Sequence, residues 1–332
     1  MSAIIETRDL SKDFGGGRGI QALNLKIAPN SIFGYIGPNG SGKTTTIRLI
    51  CGLLNPSSGQ AWLNGVEVVP RNHLQIKRMV GFLPDEFGVY QQMSVWEYLD
   101  FFGAAYKIPP KKRKERIEYV LEVTDAKHMI DYQVASLSRG MHQKIGIAKT
   151  MLHDPTVLIL DEPANGLDPY ARIEMRKTIL RLRDLGKTIM LSSHILPELG
   201  TICDQVGILE KGRLLIQGTV QEIVRQLRQS LSIEITVDSD IAAAAALVKQ
   251  FPGVREVSHA GFEIRADFLG KRQELADLNA VLVKQGVRVI SLREAEMDLE
   301  HVYLTVTGHQ QELKGHAPVA HDSHATPAAP KA

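Results

Sequence analysis

The stretch Ile32–Thr46 has the sequence IFGYIGPNGSGKTTT, which joins a short apolar run to a glycine-rich loop and a helical pattern. Within it, Gly37 to Thr44 fits the spacing G-x-x-x-x-G-K-[ST]. In such a loop the glycines let backbone N–H groups point toward one phosphate, and the start of the following helix adds a favourable field. The stretch therefore predicts a phosphate-binding loop between a buried strand and a helix.

Two side chains of this loop are expected to carry the phosphate chemistry. Lys43 is predicted between the β- and γ-phosphates of a nucleotide, and the Thr44 hydroxyl is predicted to hold Mg²⁺. The alternative is a glycine turn that contains a lysine by chance. A chance match does not explain why strand, loop and helix follow one another in the required order.

A second apolar run, Val157–Pro163 with the sequence VLILDEP, has the length of a buried strand. Asp161 emerges at its carboxyl end, where Mg²⁺ is expected. Glu162 follows and is placed to orient or activate an attacking water. The alternative for Glu162 is an ordinary solvated carboxylate, but the phosphate loop makes the acid pair a more specific signal.

Three further motifs and an aromatic segment indicate which family of phosphate-loop proteins this is. Leu137–Met141, LSRGM, resembles the LSGGQ signature of the ABC ATPases, and Ala164–Asp168, ANGLD, resembles their D-loop. Ser192–His194 resembles the switch-histidine segment, and Lys12–Gly15 resembles the aromatic A-loop. These motifs occur in the family's order, and the resemblance covers roughly residues 4–224.

The resemblance implies an enzyme that hydrolyses ATP, with ATP and Mg²⁺ as its cofactors. It implies catalytic roles for Glu162, His194 and Lys43. It implies that nucleotide is bound by Phe14, Gly37, Pro38, Asn39, Gly40, Ser41, Gly42, Lys43, Thr44, Thr45, Ser138, Gly140 and Asp168. The implied metal ligands are Thr44, Asp161 and Asp85. A core aromatic is the alternative for Phe14, and a structural histidine is the alternative for His194.

The chain departs from the family pattern at two motifs. Asp85 stands where the family's Q-loop has glutamine, and its carboxylate is expected to reach Mg²⁺ directly or through a water. In the signature, Arg139 and Met141 replace glycine and glutamine, whereas Ser138 and Gly140 are retained. Arg139 either adds a cation at a dimer interface or is simply solvated.

The resemblance also implies partners. In this family the signature acts in trans on the nucleotide held by a second subunit. The chain has one motif set, so it is expected to pair with a second ATPase subunit, preferably a second copy in a homodimer, with a homologous subunit as the alternative. The family further implies integral-membrane permease subunits, most like the ABC-2 export type, and a cytoplasmic position, peripheral on the inner face of the cell membrane. The candidate contacts for the membrane partner follow Asp85 and are Phe87, Val89, Tyr90 and Trp96. The alternative, above all for Trp96, is packing in the core of the helical subdomain.

The predicted fold class is α/β. It combines a P-loop ABC ATPase domain, with a RecA-like core, an antiparallel β part and a helical subdomain, with a C-terminal ferredoxin-like α+β domain. The ATPase domain is predicted over residues 1–225, with its helical subdomain at about 85–154. The order β-α-β-β-α-β predicts the second domain over 230–308. Residues 309–332 are rich in Ala, Pro and His and are predicted to form a disordered tail.

Composition excludes several other classes of protein. The chain has 332 residues with 39 Lys and Arg against 37 Asp and Glu, a formal net charge of +2, which argues against a nucleic-acid partner. No segment resembles a signal peptide or a membrane span. The alternative function is a non-transport ABC ATPase of translation or DNA maintenance. The former class usually carries two motif sets, and the latter inserts a coiled coil before the signature, which this chain lacks.

Overall fold

The computed structural model describes residues 3–88, 90, 92–194, 199–227, 231–270 and 273–294, together with 303 and 307. The chain divides into two compact units, residues 1–226 and 227–332. The predicted tail at 309–332 lies outside the described residues.

The strands before the boundary are β1 (Ile5–Asp13), β2 (Gly19–Leu23), β3 (Lys26–Ile27), β4 (Ile32–Ile36), β5 (Ser58–Leu63), β6 (Val66–Glu67), β7 (Val80–Leu83), β8 (Val157–Asp161), β9 (Thr188–Ser193), β10 (Gln205–Glu210) and β11 (Arg213–Gly218). The helices are α1 (Lys43–Ile50), α2 (His73–Met79), α3 (Val95–Ala105), α4 (Pro110–Val123), α5 (Arg139–Met151), α6 (Pro169–Asp184) and α7 (Val220–Leu227). Short 3-10 turns lie at Pro70–Asn72, Lys127–Met129 and Val134–Ser136.

The central sheet has the strand order β11-β10-β4-β9-β8-β7. All neighbours from β10 to β7 are parallel, and only β11 runs antiparallel at one edge. Every residue of β4 and β8 is buried, as expected for parallel strands covered on both faces. Because the carboxyl ends of β4, β8 and β9 share one edge, the segments that follow these strands meet there.

A smaller antiparallel sheet has the order β2-β1-β5-β6, with β3 also paired to β1. One apolar core lies between this sheet, α1 and the central sheet. Its members include Ile5, Leu23, Ile27, Phe33, Tyr35, Ile47, Leu63 and Ile159. This core holds α1 in place behind the phosphate loop.

The helices between β7 and β8 form the predicted helical part. Ser94 begins α3 with a capping box, because its hydroxyl accepts from the Glu97 N–H while the Glu97 carboxylate accepts from the Ser94 N–H. Arg113 of α4 binds Asp100 of α3 through two hydrogen bonds. α5 runs from this part back to the central sheet.

The second unit contains β12 (Leu231–Val237), α8 (Ile241–Gln250), β13 (Val254–Ala260), β14 (Glu263–Phe268), α9 (Glu274–Lys284) and β15 (Val289–Glu294). Its sheet has the order β13-β14-β12-β15 with antiparallel neighbours throughout. The alternating residues Ile233, Ile235 and Val237 are fully buried in a core with residues of both helices. This is the ferredoxin-like arrangement that the order of elements predicts.

Candidate nucleotide site

The loop after β4 turns through two glycines in left-handed conformations. Gly40 has φ +80° and Gly42 has φ +108°, a region that side chains other than glycine rarely adopt. Gly42 is the N-cap of α1, and in the described part of the chain no side chain caps the N–H groups of the first helical turn. The backbone at the start of α1 is therefore available to an anionic ligand.

Lys43 is buried at the centre of the loop, with 6% of its side chain exposed. Its ammonium donates to the carbonyl oxygens of Gly37 at 2.7 Å and Pro38 at 3.3 Å. It also lies 3.2 Å from Oε1 of Glu162. A buried ammonium requires such partners, because losing its hydration is costly.

Asp161 ties the loop to the two neighbouring strands. Its carboxylate is 3% exposed and accepts hydrogen bonds from the hydroxyls of Thr44, at 2.9 Å, and Ser192, at 2.5 Å. The same Ser192 hydroxyl accepts from the backbone N–H of Glu162 at 3.0 Å. Ser192 thus positions both acids, a role that the sequence analysis missed. The one feature of the sequence that points to Ser192 is its position at the end of a buried strand, two residues before His194.

Glu162 and His194 are directly paired. Nδ1 of His194 lies 2.8 Å from Oε2 of Glu162, while the other carboxylate oxygen faces Lys43. Glu162 has φ +50°, an uncommon conformation for a residue with a side chain. The structure therefore brings all three residues predicted to be catalytic into one chain of contacts, with Thr44 and Asp161 beside them.

The remaining predicted residues lie in three other places. Ser138 and Asp168 are the N-caps of α5 and α6, where they accept from the N–H groups of Met141 and Ala171. Asp85 accepts from the side-chain amide of Asn165 at 3.3 Å. Among the described residues, no hydrogen bond or ion pair connects any of these groups with the phosphate loop of the same chain.

Phe14 is 49% exposed, so it is not a core aromatic. The ammonium of Lys12 lies 5.6 Å from the centre of its ring. A half-exposed aromatic face of this kind is able to stack on a planar base.

Of the two aromatic residues that follow Asp85 closely, Phe87 packs against a helix and Tyr90 is half-exposed. The ring of Phe87 packs into the space left by Gly146 of α5. Tyr90 is half-exposed and meets the half-exposed Phe101 of α3 edge to face, with ring centres 5.2 Å apart. Val89 lies outside the described residues.

Neither cysteine takes part in this chemistry. Cys51 and Cys203 are both free. Burial raises the pKa of the Cys51 thiol, and the negative charge of Asp161 raises it further. The thiol therefore stays protonated and behaves as a small apolar group.

Comparison with known proteins agrees with this geometry. The profile of the family described as ABC transporter matches residues 20–165. The bacitracin transport ATP-binding protein BcrA of Bacillus licheniformis is 36% identical over 311 residues, which cover 93% of this chain and 98% of that protein. The Nod factor export ATP-binding protein I of Cupriavidus metallidurans is 35% identical over 224 residues, which cover 68% of this chain and 74% of that protein.

The chain belongs to the ATP-binding proteins of ABC transporters. Among solved structures, cbiO1 of Clostridium perfringens matches this ABC subunit with a TM-score of 0.62 and 26% identity, over 68% of this chain and 95% of that one. The subunit is an ATPase whose hydrolysis of ATP is coupled to transport. In the described part of the chain, none of the helices has the length and apolar character that crossing a bilayer requires.

Replacing Ser192 with alanine tests how the acid pair is held. Ser192→Ala removes a hydrogen bond from the buried Asp161 and an acceptor from the Glu162 N–H, so we expect it to lower the free energy of unfolding by about 1–3 kcal/mol. Urea denaturation measures this change. Ser31→Ala, which removes an exposed serine hydrogen bond at the start of β4, is the control and should cost less. Equal losses in the two variants would contradict the role assigned to Ser192.

Proposed function

We propose that this subunit drives export of the ABC-2 type, with ATP bound between the phosphate loop of one copy and the signature of a second. The observation that carries the proposal is the convergence of Lys43, Glu162 and His194 at one edge of the central sheet. The names of the relatives, bacitracin transport and Nod factor export, support transport. They also disfavour the alternative role in translation or DNA maintenance.

The Lys43–Glu162 pair suggests how nucleotide binding activates the site. The phosphates of ATP attract Lys43 more strongly than a single carboxylate does, because they carry more negative charge. Once Lys43 binds the β- and γ-phosphates, Oε1 of Glu162 loses its partner and becomes free to accept a proton from water, while Oε2 stays on His194. Catalysis then consists mainly of orienting this water and stabilising charge on the phosphoryl group.

The donor set beside the loop fits Mg²⁺. The Thr44 hydroxyl and the Asp161 carboxylate already touch, and both are hard oxygen ligands of the kind that Mg²⁺ prefers. When bound, Mg²⁺ neutralises charge on the β- and γ-phosphate oxygens. Asp85 is proposed as a further ligand, reaching the ion directly or through a water, because only one of its oxygens is used by Asn165.

A second copy accounts for the residues that stand apart from the loop. Ser138, Gly140 and Asp168 lie at the first turns of α5 and α6, and among the described residues no hydrogen bond or ion pair joins them to the phosphate loop of their own chain. Helix starts with polar caps suit an anion. In the proposed homodimer Ser138 and Gly140 at the start of α5 cover the phosphates bound by the partner, while Asp168 caps the neighbouring α6. Phe14 stacks on the adenine bound by its own chain.

The proposed membrane partner is an ABC-2 type permease, and the subunit would lie peripherally on the inner face of the cell membrane. Tyr90 and Phe101 support this contact, because Tyr90 follows Asp85 closely and forms a half-exposed aromatic pair with Phe101 of α3. Such pairs serve well as anchors for an apolar helix. A partner seated there would touch the segment that leads directly to the nucleotide site.

Glu162→Gln tests the catalytic assignment. The variant keeps the size of the side chain but loses its negative charge, so we expect ATP binding to persist while kcat falls by about 10²–10⁴-fold. Steady-state ATPase assays and nucleotide titration measure the two effects. Lys43→Ala is the comparison, and it should lose ATP affinity itself. A Glu162→Gln protein that hydrolyses ATP at the wild-type rate would falsify the role of Glu162.

Mixing two inactive variants tests the shared site. Ser138→Asp keeps an N-cap for α5 but places a negative charge where the partner's phosphates are proposed, and Lys43→Ala disables the phosphate loop. We expect each protein alone to be inactive and a mixture to regain ATPase activity, because each mixed dimer has one intact site. Ser138→Asn keeps the cap without the charge and should be far less impaired. An inactive mixture of folded proteins would argue against sharing in trans.

Co-purification tests the transport assignment. The full chain, extracted from membranes in detergent, should bring a multi-helix integral membrane protein with it. Tyr90→Ala should reduce that recovery, whereas Tyr119→Ala, which removes an exposed aromatic from α4, should not. Recovery with ribosomes and without a membrane protein would support the alternative function instead.

A further inference from the structure

Two of the residues at which this chain departs from the family pattern, Asp85 and Arg139, contact adjacent residues of the D-loop. Asp85 accepts a hydrogen bond from the side-chain amide of Asn165. The guanidinium of Arg139 lies directly over the next residue, Gly166. A Cβ atom on Gly166 would be only 2.6 Å from Nη1 and 2.7 Å from Cζ of Arg139. Asp85 and Arg139 thus lie on two sides of the dipeptide Asn165–Gly166.

The contact between Arg139 and Gly166 depends on the bare glycine backbone. Gly166 has φ +66° and no side chain, so the planar guanidinium is able to pack against its main chain. Among the described residues, the side chain of Arg139 has no carboxylate and no hydrogen-bond partner. Its position is therefore explained by packing on Gly166 and not by an ion pair.

Two further close contacts join the same segments. A Cβ atom on Gly140 would be 2.9 Å from the side chain of Ala171, so the first turns of α5 and α6 touch. The Phe87 ring occupies the space beside Gly146, where a Cβ would lie 2.6 Å from its Cζ. Each of the three segments, namely the one after β7, the D-loop and α5, consequently contacts the other two within one chain.

We propose that Asp85 and Arg139 are a pair of positioning residues that hold Asn165–Gly166 between them, so that the segment after β7 and the signature shift together. The inference rests on the proposed function, in which the signature covers ATP bound by the partner subunit. A displacement of the Asp85 segment is then carried through the D-loop to the start of α5. The partner's nucleotide is covered or uncovered as a result.

This arrangement explains why the two departures occur in one chain. A glycine at position 139 would leave Gly166 without its cover. A glutamine at position 85 has one methylene more than aspartate, so its carbonyl oxygen would move away from the position at which Asp85 accepts from Asn165. Restoring the family residue at either position alone is therefore expected to impair the protein. The two residues act as a unit, so their effects on catalysis should not be independent.

A double-mutant cycle tests the pair. We expect Asp85→Ala and Arg139→Ala each to lower kcat about fivefold. The kcat of the double variant should be no lower than that of the less active single variant, because residues that act as a unit have non-additive effects. The ATP affinity of Arg139→Ala, measured at low protein concentration where subunits are separate, should stay at the wild-type value. Asp85→Asn keeps an oxygen that accepts from Asn165 and should retain most of the wild-type kcat.

Controls separate this inference from simpler accounts. Lys112→Ala removes one exposed cation from α4 and should leave kcat unchanged. If Asp85 acts only as a metal ligand, Asp85→Asn will raise the Mg²⁺ requirement and its defect will multiply with that of Arg139→Ala, which overturns the pairing. Glu162→Gln alone reports on the proposed function. Failure of that variant to dimerise with ATP refutes the shared site, whereas normal dimerisation with multiplying defects refutes only the Asp85–Arg139 pair.

Discussion

The need to satisfy one buried carboxylate organises the nucleotide site. Asp161 ends β8 almost completely out of solvent, and an ionised group in such a place costs several kcal/mol unless its oxygens are hydrogen-bonded. The two donors come from different segments, Thr44 at the start of α1 and Ser192 in β9. Because β8 and β4 both pair with β9, satisfying Asp161 also fixes the phosphate loop and Glu162 relative to each other.

The same geometry gives the site a resting arrangement. Lys43 and Glu162 neutralise each other, and His194 binds the second oxygen of the same carboxylate. In this arrangement both carboxylate oxygens of Glu162 already have a partner, so neither is free to accept a proton from water. In the proposed mechanism, Glu162 is released for catalysis only when phosphate reaches Lys43.

The sequence predicts the parts of the site whose chemistry is local. The phosphate loop follows from glycine spacing after an apolar run, and Asp161–Glu162 follow from their place at the end of another. The contacts made by Ser192, Arg139 and Asn165 could not be predicted, because each depends on segments that lie far apart along the chain. The sequence left Arg139 either solvated or at an interface, and only the packing of α5 beside the D-loop reveals that it covers Gly166.

The central claim is that one ATP is held by two chains, and a structure of the full-length Glu162→Gln protein with Mg²⁺ and ATP tests it most directly. The account predicts a head-to-tail dimer in which each γ-phosphate lies within hydrogen-bond distance of Lys43 in one chain and of the partner's Ser138. A monomer with ATP bound by Lys43 alone, or a dimer whose interface excludes both signatures, would contradict it.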